Sequence, residues 1–312
     1  MANTPLSFGQ RQYWNDRYTK TPKAYDWLNY ADVLDLHLDQ ALDKRSKFSP
    51  KTAPQILHIG CGNSELSFNL RLKVRDPGQI HNVDYSSVVI EWGRKTEKSM
   101  FGVEDDNESP SSIAKPNSLA ISTEMDFKMP MMRWDEVDLL SLQSVIANCT
   151  LGEYSIILDK STCDSLACTS TTELPMPYFL YTEGKDTTSF LDITESYTGT
   201  ANAVQVLAVH LALLSAPHAN WIAYSYSSTR FWFLDPEFKY EDQPHSPVAL
   251  HPGLPDPKDL WTLSSCQKVI RPYGASGETS ATDAGDTHFL YVMERSNVPL
   301  RVRTMDPETS KK

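Results

Sequence analysis

The residues best suited to ligand chemistry lie in Ile56-Leu-His-Ile-Gly-Cys-Gly-Asn-Ser64, an apolar run that ends in Gly60 and Gly62 and passes directly into a helix-like segment. Glycines at a strand-to-helix turn let a ligand approach backbone N–H groups, and a helix N-terminus favours a negative or strongly polar group. A nucleotide-like ligand is implied, although glycines placed only for packing give the same isolated G-x-G pattern. Asp84 ends the next apolar run 22 residues after Gly62. A carboxylate there can accept both hydroxyl hydrogens of a ribose; the competing reading is a helix-capping aspartate. The third glycine of a dinucleotide fingerprint is missing, and the turn continues with Asn63 and Ser64, whose side chains suit a smaller polar group than a pyrophosphate. S-adenosylmethionine carries no phosphate. It needs donors and acceptors at its amino acid end, a carboxylate at its ribose and an acceptor at its adenine. Asp138, in Arg133-Trp-Asp-Glu-Val-Asp138, supplies a third strand end in order.

These residues have to be positioned by an alternation of strand-like and helix-like segments, the signature of βαβ units around a parallel sheet. Ile56–Gly60, Ile80–Asp84, Arg133–Asp138, Tyr154–Leu158 and Asn220–Ser225 read as strands, with helices over Ser64–Lys73, Ser86–Met100, Leu139–Ala147 and Ala201–Leu214. Trp261–Ile270 and His288–Glu294 flank a loop rich in Gly, Ser and Thr and read as an antiparallel pair. The expected fold is therefore α/β: a seven-stranded Rossmann-like sheet of five parallel strands plus an antiparallel terminal pair, with ligands at the carboxyl ends of its first strands. Gly9–Leu42 reads as two helices, and three polar stretches, 103–128, 169–200 and 235–258, read as loop insertions.

With 312 residues the chain allows two small domains or one decorated domain. The insertions favour one, spanning 51–300, with residues 1–50 ahead of it and a polar tail at 301–312. Lys and Arg number 29 against 40 Asp and Glu, a formal charge of −11, which argues against a nucleic-acid partner and suits a basic one. Five scattered cysteines without a repeated C-x-x-C write neither a disulfide framework nor a zinc site. No apolar run reaches the roughly 18 residues of a membrane helix, and Met1–Gln10 has no apolar signal core. A cytoplasmic protein without membrane or metal is the expectation.

Six motifs together resemble the class I S-adenosylmethionine-dependent methyltransferases, within them the methyltransferase-like group that includes elongation factor 1-alpha lysine methyltransferases. They are Tyr13-Trp-Asn-Asp-Arg-Tyr18, Tyr25-Asp-Trp-Leu28, Gly60-Cys-Gly-Asn-Ser-Glu-Leu-Ser67, Val83-Asp-Tyr-Ser-Ser-Val-Val89, Arg133-Trp-Asp-Glu-Val-Asp138 and Leu158-Asp-Lys-Ser-Thr-Cys-Asp164. They cover roughly residues 10 to 166; from Ala201 onward the similarity is one of strand and helix order. The resemblance implies that Gly60, Gly62, Asn63 and Ser64 line the methionine end of S-adenosyl-L-methionine. It gives Asp84 the ribose, Tyr85 and Ser86 the adenine or its sugar, and Asp138 with Leu139 the adenine. Asp159 and Lys160 would border the sulfonium and the substrate entrance. Residues 1–50 would be a helical cover contributing Trp14, Arg17 and Tyr25, with Arg17 as a partner for the cofactor carboxylate; for the aromatics, core packing is the competing role. Two positions depart from the pattern. His58 stands where many methyltransferases have an acidic residue that meets the cofactor's amino group, which sends that group to backbone carbonyls such as those of Gly60 or Asp159. Ser161 replaces the glycine of the family's Asp-Lys-Gly-Thr.

Methyl transfer from a sulfonium is an in-line displacement that requires positioning and exclusion of water. A lysine acceptor with a reference pKa of about 10.4 must shed a proton. Asp159 and Asp164, with Lys160 beside them, are the catalytic candidates, and Trp27 or Tyr30 are possible walls for an arriving ammonium. Asp164 as a helix cap and Lys160 in a structural ion pair are the competing roles. A Ser-His-Asp hydrolase is excluded for want of a G-x-S-x-G elbow. The expected activity is methyl transfer to a lysine of a basic protein resembling elongation factor 1-alpha. The alternatives are a small-molecule O-, N- or S-methyltransferase and a noncatalytic cofactor-binding regulator.

Overall fold

The structure is a computed structural model that describes residues 8–48, 52–102, 130–169, 171–176, 178–182, 197–237, 253–270 and 287–302. The insertion expected at 103–128, most of that at 235–258, and all but the first two residues of the expected tail lie outside these residues.

Seven strands form one sheet: β1 (Gln55–Ile59), β2 (Ile80–Asp84), β3 (Arg133–Glu136), β4 (Tyr154–Lys160), β8 (Ser215–Ser225), β9 (Trp261–Ile270) and β10 (Thr287–Arg295). Their spatial order is β3-β2-β1-β4-β8-β10-β9. The first five are mutually parallel, and β10 runs antiparallel to both β8 and β9. The expected sheet is thus present, strand for strand. Strand order reverses between β1 and β4, so the crevice outside their carboxyl ends is the natural ligand position.

The central strands β1 and β4 are buried on both faces and read as largely apolar runs, whereas the edge strand β3 is polar and only half-buried. Side chains along the sheet alternate between two cores. Leu57, Ile59, Ile157, Trp221 and Ala223 face one side, packed with helix α7 (Ala203–Leu214). Ile56, Ile156, Leu158, Ile222 and Tyr224 face the other, packed with α2 (Asp35–Phe48) and α3 (Leu66–Lys73). Every residue of α7 is buried. Each of its leucines and valines stabilises the fold by roughly 1.5–3 kcal/mol relative to exposure. Its start is set by Asn202, whose side chain accepts from the N–H groups of Val204 (3.0 Å) and Gln205 (3.2 Å).

The N-terminal segment forms α1 (Arg11–Lys20) and, after a 3-10 turn at Ala31–Leu34, α2. The stretch 169–200 differs from the polar surface loop expected. It contains β5 (Thr171–Met176) and β6 (Leu180–Thr182), and β5 pairs antiparallel with β7 (Tyr197–Asn202). Tyr178 and Leu180 are buried in the α7-side core. The expected tail starts inside β11 (Leu300–Val302), which pairs with β6. These strands are Thr-rich or very short, and their partners lie far away in the chain, so local alternation carries no signal for them.

Helix α4 (Ser87–Phe101) packs on β3 through Gly93 and Glu97. Glu97 is wholly buried and accepts from Arg71 (2.7 Å), the Trp134 indole (2.8 Å) and the Met132 N–H (2.9 Å). A Cβ at Gly93 would overlap the six-membered ring of Trp134. A glycine-to-alanine change inside a helix normally gains about 1 kcal/mol. Here the sign reverses: Gly93→Ala is expected to cost about 1–3 kcal/mol through overpacking, read as a lower urea midpoint with unchanged slope.

Candidate active site

The turn after β1 is stitched to β2. Gly60 and Gly62 take left-handed φ values of +51° and +53°, a region that glycine enters without a Cβ penalty. At Gly60 a Cβ would also collide with Thr162, whose hydroxyl donates to the carbonyl of Ile59 (2.9 Å). The Cys61 N–H donates to the carbonyl of Val83 (3.0 Å), and the Gly62 N–H donates to Asp84 Oδ2 (3.1 Å). The other carboxyl oxygen of Asp84 accepts from the Ser86 N–H (2.9 Å), while the Val137 N–H after β3 donates to the Asp84 carbonyl (2.8 Å). Asp84 therefore fixes both the glycine turn and the start of α4. Burial pushes its carboxyl up to about 6, against the pull of these backbone donors.

An open cavity lies at these strand ends. Of the residues singled out from the sequence, Trp14, Arg17, Tyr25, Gly60, Gly62, Asn63, Ser64, Asp84, Tyr85, Asp138, Leu139 and Lys160 line it. Asp138 lies past the end of β3, and its Oδ1 accepts from the Leu140 N–H (3.0 Å). The Arg17 guanidinium lies over Tyr25 (4.7 Å) and Trp27 (5.1 Å).

Four singled-out residues do not line the cavity. Ser86 turns its hydroxyl to Asn15 Oδ1 (2.6 Å). Asp159 is 0% exposed, and its Oδ1 accepts from the N–H groups of Thr162 (2.8 Å) and Cys163 (3.2 Å), capping helix α6 (Thr162–Ala167). Asp164 accepts from Ser225 Oγ (2.5 Å), Arg230 Nε (2.9 Å) and the Tyr226 N–H (3.2 Å). It holds the turn after β8 and is not presented to the cavity. The exposed Tyr30, a possible wall from the sequence, is likewise not part of the lining.

Trp27, a possible wall from the sequence, also lines it, as do His58 and Ser161; Phe8, Tyr18, Cys61, Val137, Thr162, Ser165 and Leu166 complete the lining. Most adjoin a recognised motif residue, and only the fold shows which neighbours face inward. Ser161 stands in the left-handed region, φ 73°, the reason a glycine suits that position. The N-terminal segment crosses the crevice and is pinned to it. The Tyr25 N–H donates to the Asn63 carbonyl (3.1 Å), Asn63 donates to the Lys23 carbonyl, and Asn29 donates to the Tyr224 hydroxyl (2.9 Å). Lys160, its side chain 3% exposed, donates to the Trp27 carbonyl (2.7 Å) and pairs with Asp26 (3.2 Å), which also accepts from Ser64. Asp26, inside the Tyr25-Asp-Trp-Leu28 motif, gains this role only from a partner 134 residues away, which local sequence does not reveal.

The seven strands in this order form a Rossmann-like sheet, and the chain resembles class I S-adenosylmethionine-dependent methyltransferases. No protein-family model matches it. Methyltransferase srdJ of Neurospora crassa is 28% identical over 170 residues, 54% of this chain and 58% of that protein. EEF1A lysine methyltransferase 4 of Mus musculus is 24% identical over 186 residues, 58% of this chain and 53% of that one. The eEF1A lysine and N-terminal methyltransferase homolog of Drosophila melanogaster is 34% identical over 93 residues, 29% of this chain and 12% of that one. The chain thus covers less than two thirds of each of these relatives. No helix among the described residues is long and apolar enough to cross a membrane.

Burial raises Asp159 as well, to about 7. Asp84 and Asp159 both ionise later in the fold than the reference value of about 3.9 for an exposed chain. Between about pH 4 and 7 the native state then binds more protons than the unfolded one, and stability falls as pH rises. Asp159→Asn, which keeps the capping oxygen, should raise the denaturation midpoint relative to wild type by more at pH 8 than at pH 5. An equal effect at both values would show that Asp159 ionises normally.

Proposed function

We propose that this chain is an S-adenosyl-L-methionine-dependent methyltransferase, acting on a protein lysine. The observation that carries the cofactor reading is the convergence of the glycine turn, Asp84 and the Asp138–Leu139 segment on one cavity at the strand-order reversal. The residues fit that group. Asp84 would accept the ribose hydroxyls, Asp138 and Leu139 would border the adenine, and Tyr85 would flank it. Gly60, Gly62, Asn63 and Ser64 would line the methionine end. Arg17 would grip the carboxylate with two parallel hydrogen bonds, its plane already set by Tyr25 and Trp27. When bound, the cofactor supplies an electrophilic methyl group on a sulfonium. The protein's part is to align an acceptor with that methyl and keep water out. The aromatic strap of Phe8, Trp14 and Trp27 serves the second task. Residues 1–50 act on this reading as the cover, 51–300 as one methyltransferase domain, and Asp159 and Asp164 as supports of the loops beside the acceptor.

A protein lysine is supported by the names of the mouse and Drosophila relatives, by the formal charge of −11, and by the aromatic lining, which suits an arriving ammonium. In calorimetry, wild-type protein is expected to bind S-adenosylhomocysteine. Asp84→Ala should abolish that binding and Arg17→Ala should weaken it about ten- to hundred-fold, both without unfolding; unchanged affinity would remove the residue from the site. Labelled methyl groups supplied with a cell extract should appear in a protein band. Label confined to the low-mass fraction would instead make a metabolite the acceptor, and no label would leave a binding protein without turnover.

A further inference from the structure

We propose that Tyr178 and His210 are positioning residues that fix the Leu139 main chain at the adenine end of the cavity and so set the preference for adenine over hypoxanthine, an inference that rests on the cofactor reading above. His210 lies in α7 and is 0% exposed; Tyr178, between β5 and β6, is 1% exposed. His210 Nδ1 lies 2.6 Å from the Leu139 carbonyl oxygen, and Nε2 meets the Tyr178 hydroxyl. A carbonyl can only accept, so the proton in the first contact sits on Nδ1. Burial holds the imidazole down to about 4. The ring is therefore neutral at neutral pH, and its Nε2 keeps a lone pair. Burial raises the Tyr178 hydroxyl, which stays protonated and donates to that lone pair. The relay has one direction: Tyr178 donates to His210, and His210 donates to Leu139.

Packing alone does not call for such a pair. Apolar side chains at both positions would avoid the cost of burying a hydroxyl and an imidazole, and replacing both partners of a buried hydrogen bond is often nearly neutral. What they could not do is hold the Leu139 carbonyl. Around it the bend after β3 is committed: the Asp138 N–H donates to Ser144 Oγ (3.0 Å), Leu140 to Asp138 Oδ1 (3.0 Å) and Ser141 to the Asp138 carbonyl (3.0 Å). The Leu139 N–H is the exception, without a hydrogen-bond partner among the described residues. Leu139 and Asp138 both line the cavity. A backbone donor beside a carboxylate acceptor matches a base that offers a ring-nitrogen acceptor next to an amino donor, as adenine does. Hypoxanthine has a ring N–H and an oxo group there, which reverses both. The aim of a backbone donor depends on what holds the backbone, and at Leu139 that is His210. The stretch 169–200 thereby reaches the base through Tyr178.

Two ligands that differ only in the base separate this role from packing, S-adenosylhomocysteine and S-inosylhomocysteine. In calorimetry the wild-type protein is expected to bind the first at least about ten-fold more tightly. His210→Leu should weaken S-adenosylhomocysteine about ten-fold and leave S-inosylhomocysteine within about two-fold. Tyr178→Phe, which removes a single oxygen, should lower the preference about three-fold, and it decides the question if the leucine variant does not fold. A wild-type protein that binds both ligands equally would overturn the assignment. So would a folded variant that weakens both ligands by the same factor, or neither, since loss of packing alone does not distinguish the bases. Failure of wild-type protein to bind S-adenosylhomocysteine would instead remove the cofactor reading, and this inference with it.

Discussion

The site depends on one carboxyl group. Asp84 accepts from Gly62 on one oxygen and from Ser86 on the other, so it joins the turn after β1 to the helix after β2. Without that bridge the two left-handed glycines would have a single backbone tie to β2, Cys61 to Val83. Its burial has an energetic cost, seen in a carboxyl pushed up to about 6. The two backbone donors offset only part of that cost. A ligand bringing two hydroxyl donors to the same carboxylate would supply more. The cost of burying this carboxyl and the chemistry proposed for it thus have one origin.

The N-terminal segment is held by the same economy of polar groups. Asp26, Lys160 and Ser64 form a partly buried cluster that ties the strap to the ends of β4 and the glycine turn. Asn29 reaches the Tyr224 hydroxyl, which in turn meets His288 Nδ1 (2.8 Å) on β10. A buried ion pair is weak evidence for stability, since desolvation offsets much of its attraction. Its value here is geometric: it helps fix the segment that carries Tyr25 and Trp27, against which the Arg17 guanidinium rests.

Buried polar residues at the carboxyl ends of the strands divide into two groups. Asp164 is held by Ser225, Arg230 and the Tyr226 N–H at the turn after β8, and Asp159 caps α6 through Oδ1, its Oδ2 being buried without a partner among the described residues. Asp84, His58 and Lys160 border the cavity. All five are buried, so burial alone does not separate structure from function. What separates them is whether the fold places the side chain on the cavity wall.

Much of this was legible in the sequence. The central strands were marked by their apolar runs, since they are buried on both faces, and the terminal pair by the turn-rich loop between its strands. The glycine turn and Asp84 were marked because a backbone open to a ligand requires glycine, and a strand end that faces hydroxyls requires a carboxylate. The Thr-rich pair β5 and β7 was not marked, and neither was β6 with β11, because their stabilising partners are remote in the chain and their composition matches that of a loop. Nor could the sequence assign the carboxylates: Asp159 and Asp164 carry the same side chain as Asp84, and only the positions of Thr162, Ser225 and Arg230 around them decide that they face the protein. Residue type and periodicity determined the sheet and the class of ligand. The direction each polar group faces was decided by tertiary structure, because a hydrogen bond is fixed by its partner's position and not by its own side chain alone.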